Sequence, residues 1–235
     1  MSGVLDHAAA ARALRSARRE GRTLEVLLSA DPGLSLADAY RIQDQVTALR
    51  LAAGERRAGW KLGYTSVVMR AQMGIEAPNF GPLTDAMLLG SPAVLPAGAL
   101  QPRIEPEIGL RLGRRLTAPC SVCDVLAACD AALACLEVVD SVWTGYRFTL
   151  EDNTADGSSA AWVVVGPSLP VSDLAALPVA LSVDGQVVER GLALEPGDLV
   201  ITGGLTSARP LESGHRIGAS FGDGRYSVEI SRPVS

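Results

Sequence analysis

The stretch PRIEPEIGLRL, residues 102–112, decides how the chain is read. Ile104, Ile108, Leu110 and Leu112 recur at a spacing of two, the period of a β-strand, and supply one apolar face. Glu105 and Glu107 share the other face. Two strand rises set their Cα atoms about 6.5–7 Å apart, close enough for both carboxylates to converge on one point. A third acid, Glu137, lies in ACLEVVDS (134–141), another apolar strand. Three carboxylates gathered in a partly buried place repel one another, so they take up protons or share a cation. A hard divalent ion, Mg²⁺ or Mn²⁺, prefers oxygen ligands and would remove the conflict. On spacing alone, Glu105 and Glu107 on a solvated sheet face is the simpler reading. Spacing also does not bring Glu137 to them.

Outward from this strand, the chain reads as α+β. Residues 4–19 are Ala-rich with apolar positions at helical spacing. Residues 36–53 follow Ser35, with Asp38 three positions on, a capping box with Asp for Glu. Gly54 stops that helix. AGWKLGYTS (58–66) reads as a strand and residues near 66–73 as a short helix, with PNFGPLTDAML (78–88) as a Pro/Gly-punctuated loop. AVLPAG (93–98) and AAWVVVG (160–166) read as strands. SVCDVLAACDAALA (121–134) reads as a helix running into the strand that holds Glu137. Asp184-Gly185 and Asp223-Gly224 mark hairpin turns. LEPGDLVITGG (194–204) reads as a turn, then a strand ending in two glycines. The division that follows is a helical N-terminal arm, 1–55, and a mostly β domain, 56–235.

Composition bounds the chemistry. Hydrophobic residues make up 48% of 235 and aromatic ones 4%, so a sizeable core must be aliphatic. The net charge of −5 without a basic block argues against nucleic acid and anionic membranes as partners. No apolar run reaches a membrane span, and residues 1–21 lack a signal-peptide pattern, so a cytoplasmic protein is expected. Cys120 and Cys123 form a lone CxxC. With only His7 and His215 as histidines, a zinc site lacks its remaining ligands, and small buried side chains around a helix are the plainer reading. Neither a GxGxxG nor a P-loop occurs.

Six fragments in order carry a resemblance: GWKLGYTS, NFGPLTDAM, QPRIEPEIGLRL, LEVVDS, NTADGSS and GDLVITGG. Together, from about residue 35 onward, the chain resembles the 2-oxopent-4-enoate hydratase and 4-oxalocrotonate decarboxylase group of the fumarylacetoacetate hydrolase superfamily. The resemblance implies a mixed β-sandwich roll with a helical N-terminal region, and a homo-oligomer. It implies a Mg²⁺ or Mn²⁺ site at Glu105, Glu107 and Glu137, reversing the solvated-face reading. Lys61 matches the group's active-site lysine and Asp85 an acidic residue of the same pocket. By themselves, Lys61 would be a solvated strand lysine and Asp85 a helix cap. Asp156 and Ser159 match a substrate loop, and Thr202 and Gly203 a strand end near the substrate carboxylate.

The chain departs from the group in three places. Gly157 stands where the group often has Asn, and Val142 where it often has Arg. VVERG (187–191) also runs directly into LALEPGDLV, where the group usually carries roughly twenty to thirty more residues including a helix. Either that segment is lost or a stretch is missing here with the numbering closed up; the second is preferred, because losing a helix would open the core. The reaction implied acts on a small-molecule 2-oxo acid. QPRIEPEI and LTDAM resemble the hydratases, which is the first reading; QMGI and TGGLT sit closer to the decarboxylases, the alternative. A C–C hydrolase, or a silent homologue acting as a binding protein, ranks behind these.

Overall fold

The computed structural model describes residues 5–27, 32–65, 70–71, 74–117, 119–170, 174, 177–192 and 204–234. In chain order the elements are α1 (His7–Glu20), α2 (Leu36–Ala52), β1 (Arg57–Gly63), β2 (Asn79–Thr84), β3 (Leu88–Gly90), β4 (Ala93–Val94), β5 (Arg103–Leu112), α3 (Val122–Ala128) and β6 (Cys129–Val139). There follow α4 (Leu150–Ala155), β7 (Ala160–Leu169), β8 (Pro178–Val183), β9 (Gln186–Leu192), β10 (Arg209–Pro210), β11 (Arg216–Phe221) and β12 (Tyr226–Ser231). Short 3₁₀ turns occupy Asp85–Met87 and Thr144–Tyr146. Two compact units result. One holds residues 1–88, 96–102 and 139–162, the other 89–95, 103–138 and 163–235.

In the first unit the helix ends follow from their caps. Asp6 accepts from the Ala8 and Ala9 N–H groups, and Gly21 closes α1 in the left-handed region at φ 68°. The expected capping box of Ser35 and Asp38 opens α2, and Gly54, at φ 99°, follows its end. The Ala-rich face of α1 places Ala10, Ala11, Leu14 and Ala17 against Ile42 of α2, Trp143 and Ala155. Small residues let the helices approach; burying Leu14 and Ile42 contributes about 1.5–3 kcal/mol each. Gln43 of α2 then donates to Phe80 O at 2.9 Å and Thr154 O at 2.8 Å. Helices α1 and α2 therefore pack in one unit with β1, β2 and α4.

NFGPLT, expected as a loop, is strand β2, paired antiparallel to β1 with Lys61 opposite Gly81. Pro82 is tolerated because a two-stranded sheet has only edge strands. Gly81 is required there, since a Cβ would collide with the carbonyl of Gly157. The short helix expected near 66–73 falls mostly outside the described residues; Arg70 and Ala71 are helical.

The second unit contains the sheet β4–β12–β11–β8–β9 and most of the sheet β10–β5–β6–β7–β3. Both hairpins form. Asp184 and Gly185 take φ 49° and 81°, the mirror-image turn that suits strand twist. The other loop spans 222–225, with Phe221 opposite Tyr226. Leu181, Ile217, Val228 and Ile230 are buried on the first sheet, and Ile104, Ile108 and Leu136 on the second. The sheets meet at Gly166 of β7, where a Cβ would stand 3.0 Å from Val228 Cβ. Leu112, expected on the apolar face of β5, is 51% exposed, because burial fades toward that strand's C-terminal end. The expected helix over 121–134 ends at Ala128, and CDAALA begins β6.

Candidate functional site

The strand β5 brings Glu105 and Glu107 to one side, and β6 supplies the third acid. Gly113 N donates to Ala128 O at 2.9 Å, while Gly109 lies against Leu133 and Cys135. Numbers thus rise on one strand as they fall on the other, and the same register carries 137 to 105. One carboxylate oxygen from each of Glu105, Glu107 and Glu137 lies within 4.8 Å of the others. Glu137 is 1% and Glu107 9% exposed. Oxygens on opposite sides of a hard cation, bonded at about 2.1–2.4 Å, stand about 4.2–4.8 Å apart. The donor set is all oxygen, from three acids on rigid strands, and so fits Mg²⁺ or Mn²⁺.

A glycine completes this side. A Cβ on Gly204 would come 2.9 Å from Glu105 Oε2, and Leu205 N donates to Pro106 O at 3.0 Å, between the two strand glutamates. Thr202 and Gly203, expected near the substrate carboxylate, lie outside the described residues, as do 193–201, where the chain runs on from the expected shortfall after Gly191.

In the first unit, Lys61 is 8% exposed and donates from Nζ to Ser158 O at 3.1 Å. That carbonyl belongs to an unusual turn. Gly157, Ser158 and Ser159 are all left-handed, at φ 72°, 58° and 56°. Consecutive non-glycine residues in that region are strained and need support from around them. Asn79 supplies it. Its Oδ1 accepts from Ser158 Oγ at 2.9 Å, and its Nδ2 donates to Asn153 Oδ1 at 2.9 Å and Thr154 Oγ1 at 3.0 Å. Asn153 in turn donates to Ser159 Oγ at 2.9 Å. Gly157, replacing the expected Asn, thus leaves the turn well bonded, through Asn79 and Asn153. Neither residue stood out in the sequence, although both lie within quoted motifs.

Asp156 is taken up elsewhere. Arg18 of α1 grips both its oxygens, with Nη2 at 2.7 and 2.8 Å and Nε at 3.1 Å, and Val142 N donates at 3.0 Å. Burial pushes the Asp156 carboxyl up, and the Arg18 guanidinium opposes that shift. Val142 is fully buried in the helical core, so the guanidinium next to this loop comes from α1. Helical spacing in residues 4–19 gave no sign of that partner, 138 positions away.

Asp85 is not brought to Lys61. Thr84 pairs with Arg57 and Gly81 with Lys61, so Asp85 sits roughly 13 Å further along the ladder, four strand rises. It accepts from Arg56 N and Arg56 Nε, both at 2.9 Å. The Arg56 backbone N–H, then its guanidinium, hold this carboxyl below its ordinary value.

No family model matches the chain. Curated relatives do. A 2-keto-4-pentenoate hydratase of Burkholderia vietnamiensis is 39% identical over 190 residues, 78% of this chain and 72% of the relative. A 4-oxalocrotonate decarboxylase of a Pseudomonas species is 32% identical, covering 80% and 83%. Among solved structures, the 4-oxalocrotonate decarboxylase of Pseudomonas putida G7, complexed with magnesium and adipate, superposes with a TM-score of 0.88 at 27% identity, over 96% of this chain and 97% of that one. A 2-keto-4-pentenoate hydratase of Dechloromonas aromatica is 32% identical over 260 residues and 97% of both chains. That alignment exceeds the 235 residues present here, so this relative carries positions the chain lacks. Matched along nearly its whole length at this identity, and with an α+β fold like theirs, the chain belongs to the family of the 2-keto-4-pentenoate hydratases and 4-oxalocrotonate decarboxylases.

Proposed function

We propose that the chain is a divalent-metal-dependent lyase of 2-oxo acids, hydrating a 2-hydroxydienoate or its 2-oxo-enoate tautomer to a 4-hydroxy-2-oxo acid. The observation that carries this reading is the set of three carboxylate oxygens within 4.8 Å on β5 and β6. Held by Glu105, Glu107 and Glu137, Mg²⁺ or Mn²⁺ would supply Lewis acidity where negative charge develops next to a substrate carbonyl. Lys61, aimed by its bond to Ser158 O, steadies a substrate carboxylate or passes a proton. Ser159 Oγ accepts from Asn153, which leaves its O–H to donate to substrate. Asp156 serves by fixing the turn through Arg18 rather than by direct contact. Asp85, engaged by Arg56 away from Lys61, is given no part in the reaction. Thr202 and Gly203 remain substrate contacts on the strength of the resemblance.

The finer architecture proposed is a β-sandwich roll with a helical N-terminal region, in a homo-oligomer. A decarboxylase is the second reading, favoured by the likeness to the magnesium- and adipate-bound enzyme along 96% of the chain. No helix among the described residues is long and apolar enough to cross a membrane.

The deciding experiment incubates the protein with Mg²⁺ or Mn²⁺ and either 2-hydroxypenta-2,4-dienoate or 2-oxohex-3-enedioate. Hydration of the first, lost on chelation, is the expected result. CO₂ release from the second alone would give the decarboxylase reading. Metal binding with no turnover of either would leave a silent homologue.

A further inference from the structure

A cavity of about 150 Å³ in the first unit is lined by four arginines: Arg15, Arg18, Arg19 and Arg50. Their convergence follows from helix geometry. Arg15, Arg18 and Arg19 stand at i, i+3 and i+4, one face of the last turns of α1. Arg50 lies in the last turn of α2. Both helices therefore turn their carbonyl ends, and the cations that such ends favour, toward one space. Ala161 and Trp162 of β7 add to the wall. None of Lys61, Asn79, Ser158 or Ser159 lines it.

The nearby acids do not use all of these donors. Glu55 accepts from Arg15 Nη2 at 3.2 Å through one oxygen and from Arg50 Nε at 2.8 Å through the other. Asp156 is gripped by Arg18. Asp140, also on the wall, has its oxygens against Leu100 N at 2.9 Å and Gln101 N at 2.7 Å. Glu20, beside Arg19, accepts from Ser16 and Arg22, so the oxygens of all four acids are already engaged. The Nη1 atoms of Arg15, Arg18 and Arg50 meet no hydrogen-bond acceptor among the described residues, nor does the exposed Arg19 guanidinium. Burial holds the Arg50 guanidinium below its ordinary value, and Arg15 and Arg18 add to the effect against the pull of Glu55. A purely structural cluster would need only the three ion pairs; the remaining donors and the cavity between them are the surplus.

We infer that this cavity binds a small oxyanion, a phosphate or a carboxylate group, on the donors that Arg15, Arg18, Arg19 and Arg50 have left. Guanidinium groups suit both chemistries, because their planar forks match two oxygens at once. This inference does not depend on the lyase reading, and its test uses no turnover. Titration calorimetry of the full chain, at fixed ionic strength in chloride, is run separately with inorganic phosphate and with succinate. Saturable binding of one anion assigns its chemistry, and binding of both assigns a general oxyanion site. Arg19→Ala, which removes no ion pair, is expected to weaken binding roughly tenfold, the loss of a charge-assisted hydrogen bond. Arg15→Gln should weaken it similarly, while Arg15→Lys, keeping the charge, restores part of it. Heat no greater than that of chloride dilution overturns the proposal. So does saturable binding that both Arg19→Ala and Arg15→Gln leave unchanged, since the anion then sits elsewhere.

Discussion

Two groups of like charge occupy the two units, and the chain treats them differently. In the first, four arginines are gathered with acids threaded between them: Glu55 bridges Arg15 and Arg50, and Asp156 holds Arg18. In the second, three glutamates offer one oxygen each to a single point on two adjacent strands. The arginines are long and reach their acids from helix ends. The glutamates are fixed by strand register and are short of room, with Gly204 close against Glu105. Threaded acids hold a region together by themselves and leave only its surplus donors for a ligand. A converging donor set makes one that prefers a third party.

The largest expected effect tests the converging set. Glu107→Ala should abolish metal-dependent turnover, a loss beyond the ~100-fold that removal of a metal's outer partners brings. It should also remove metal binding in calorimetry while the far-ultraviolet circular dichroism stays native. Retained turnover would break the comparison at its acidic end.

The next effect tests the threaded acids. Asp156→Ala leaves Arg18 without its buried partner and should cost about 3–5 kcal/mol in urea unfolding. A loss under about 1 kcal/mol, the range of an exposed pair, would show that the pairing does not hold α1 in place. Smaller again is Asn79→Ala. It removes the shared partner of Ser158, Asn153 and Thr154 and should cost about 1–3 kcal/mol. Because Lys61 reads this turn through Ser158 O, the pH profile of turnover should shift as well; an unchanged profile would confine Asn79 to stability.

The smallest effect concerns thiols. Cys120 and Cys123 are exposed, whereas burial, and next the charge of Glu107, push the Cys135 thiol up to about 12. A maleimide at pH 8 should label the first two and spare Cys135, and Cys123→Ala should leave turnover unchanged. Labelling of Cys135 at the same rate would mean that the strands around the glutamates open.

Local signals carried much of this architecture. Ser35 with Asp38, Gly54 and the Asp184-Gly185 turn act within a few residues, so their structure is written where they stand. The pattern of β5 is local too, and it places two of the three glutamates. What was illegible needs partners far along the chain. CDAALA has the composition of a helix, yet between β5 and β7 it is a strand, because a central position in a sheet outweighs propensity. NFGPLT pairs with β1 in spite of its proline. Arg18 meets Asp156 only once α1 has packed, and nothing in RSARRE distinguishes that arginine from its neighbours. The approach of Glu137 to β5 was supplied by resemblance, not by spacing, since register between strands is not written in either strand alone.

The close approach of Gly81 to the carbonyl of Gly157 has one more consequence. Main chain stands on both sides of that contact, so no exchange of side chains nearby can make space for even a methyl group. In a saturation screen, position 81 should be the least forgiving of β2, and second-site revertants, where they arise, should be found as changes of loop length rather than as substitutions.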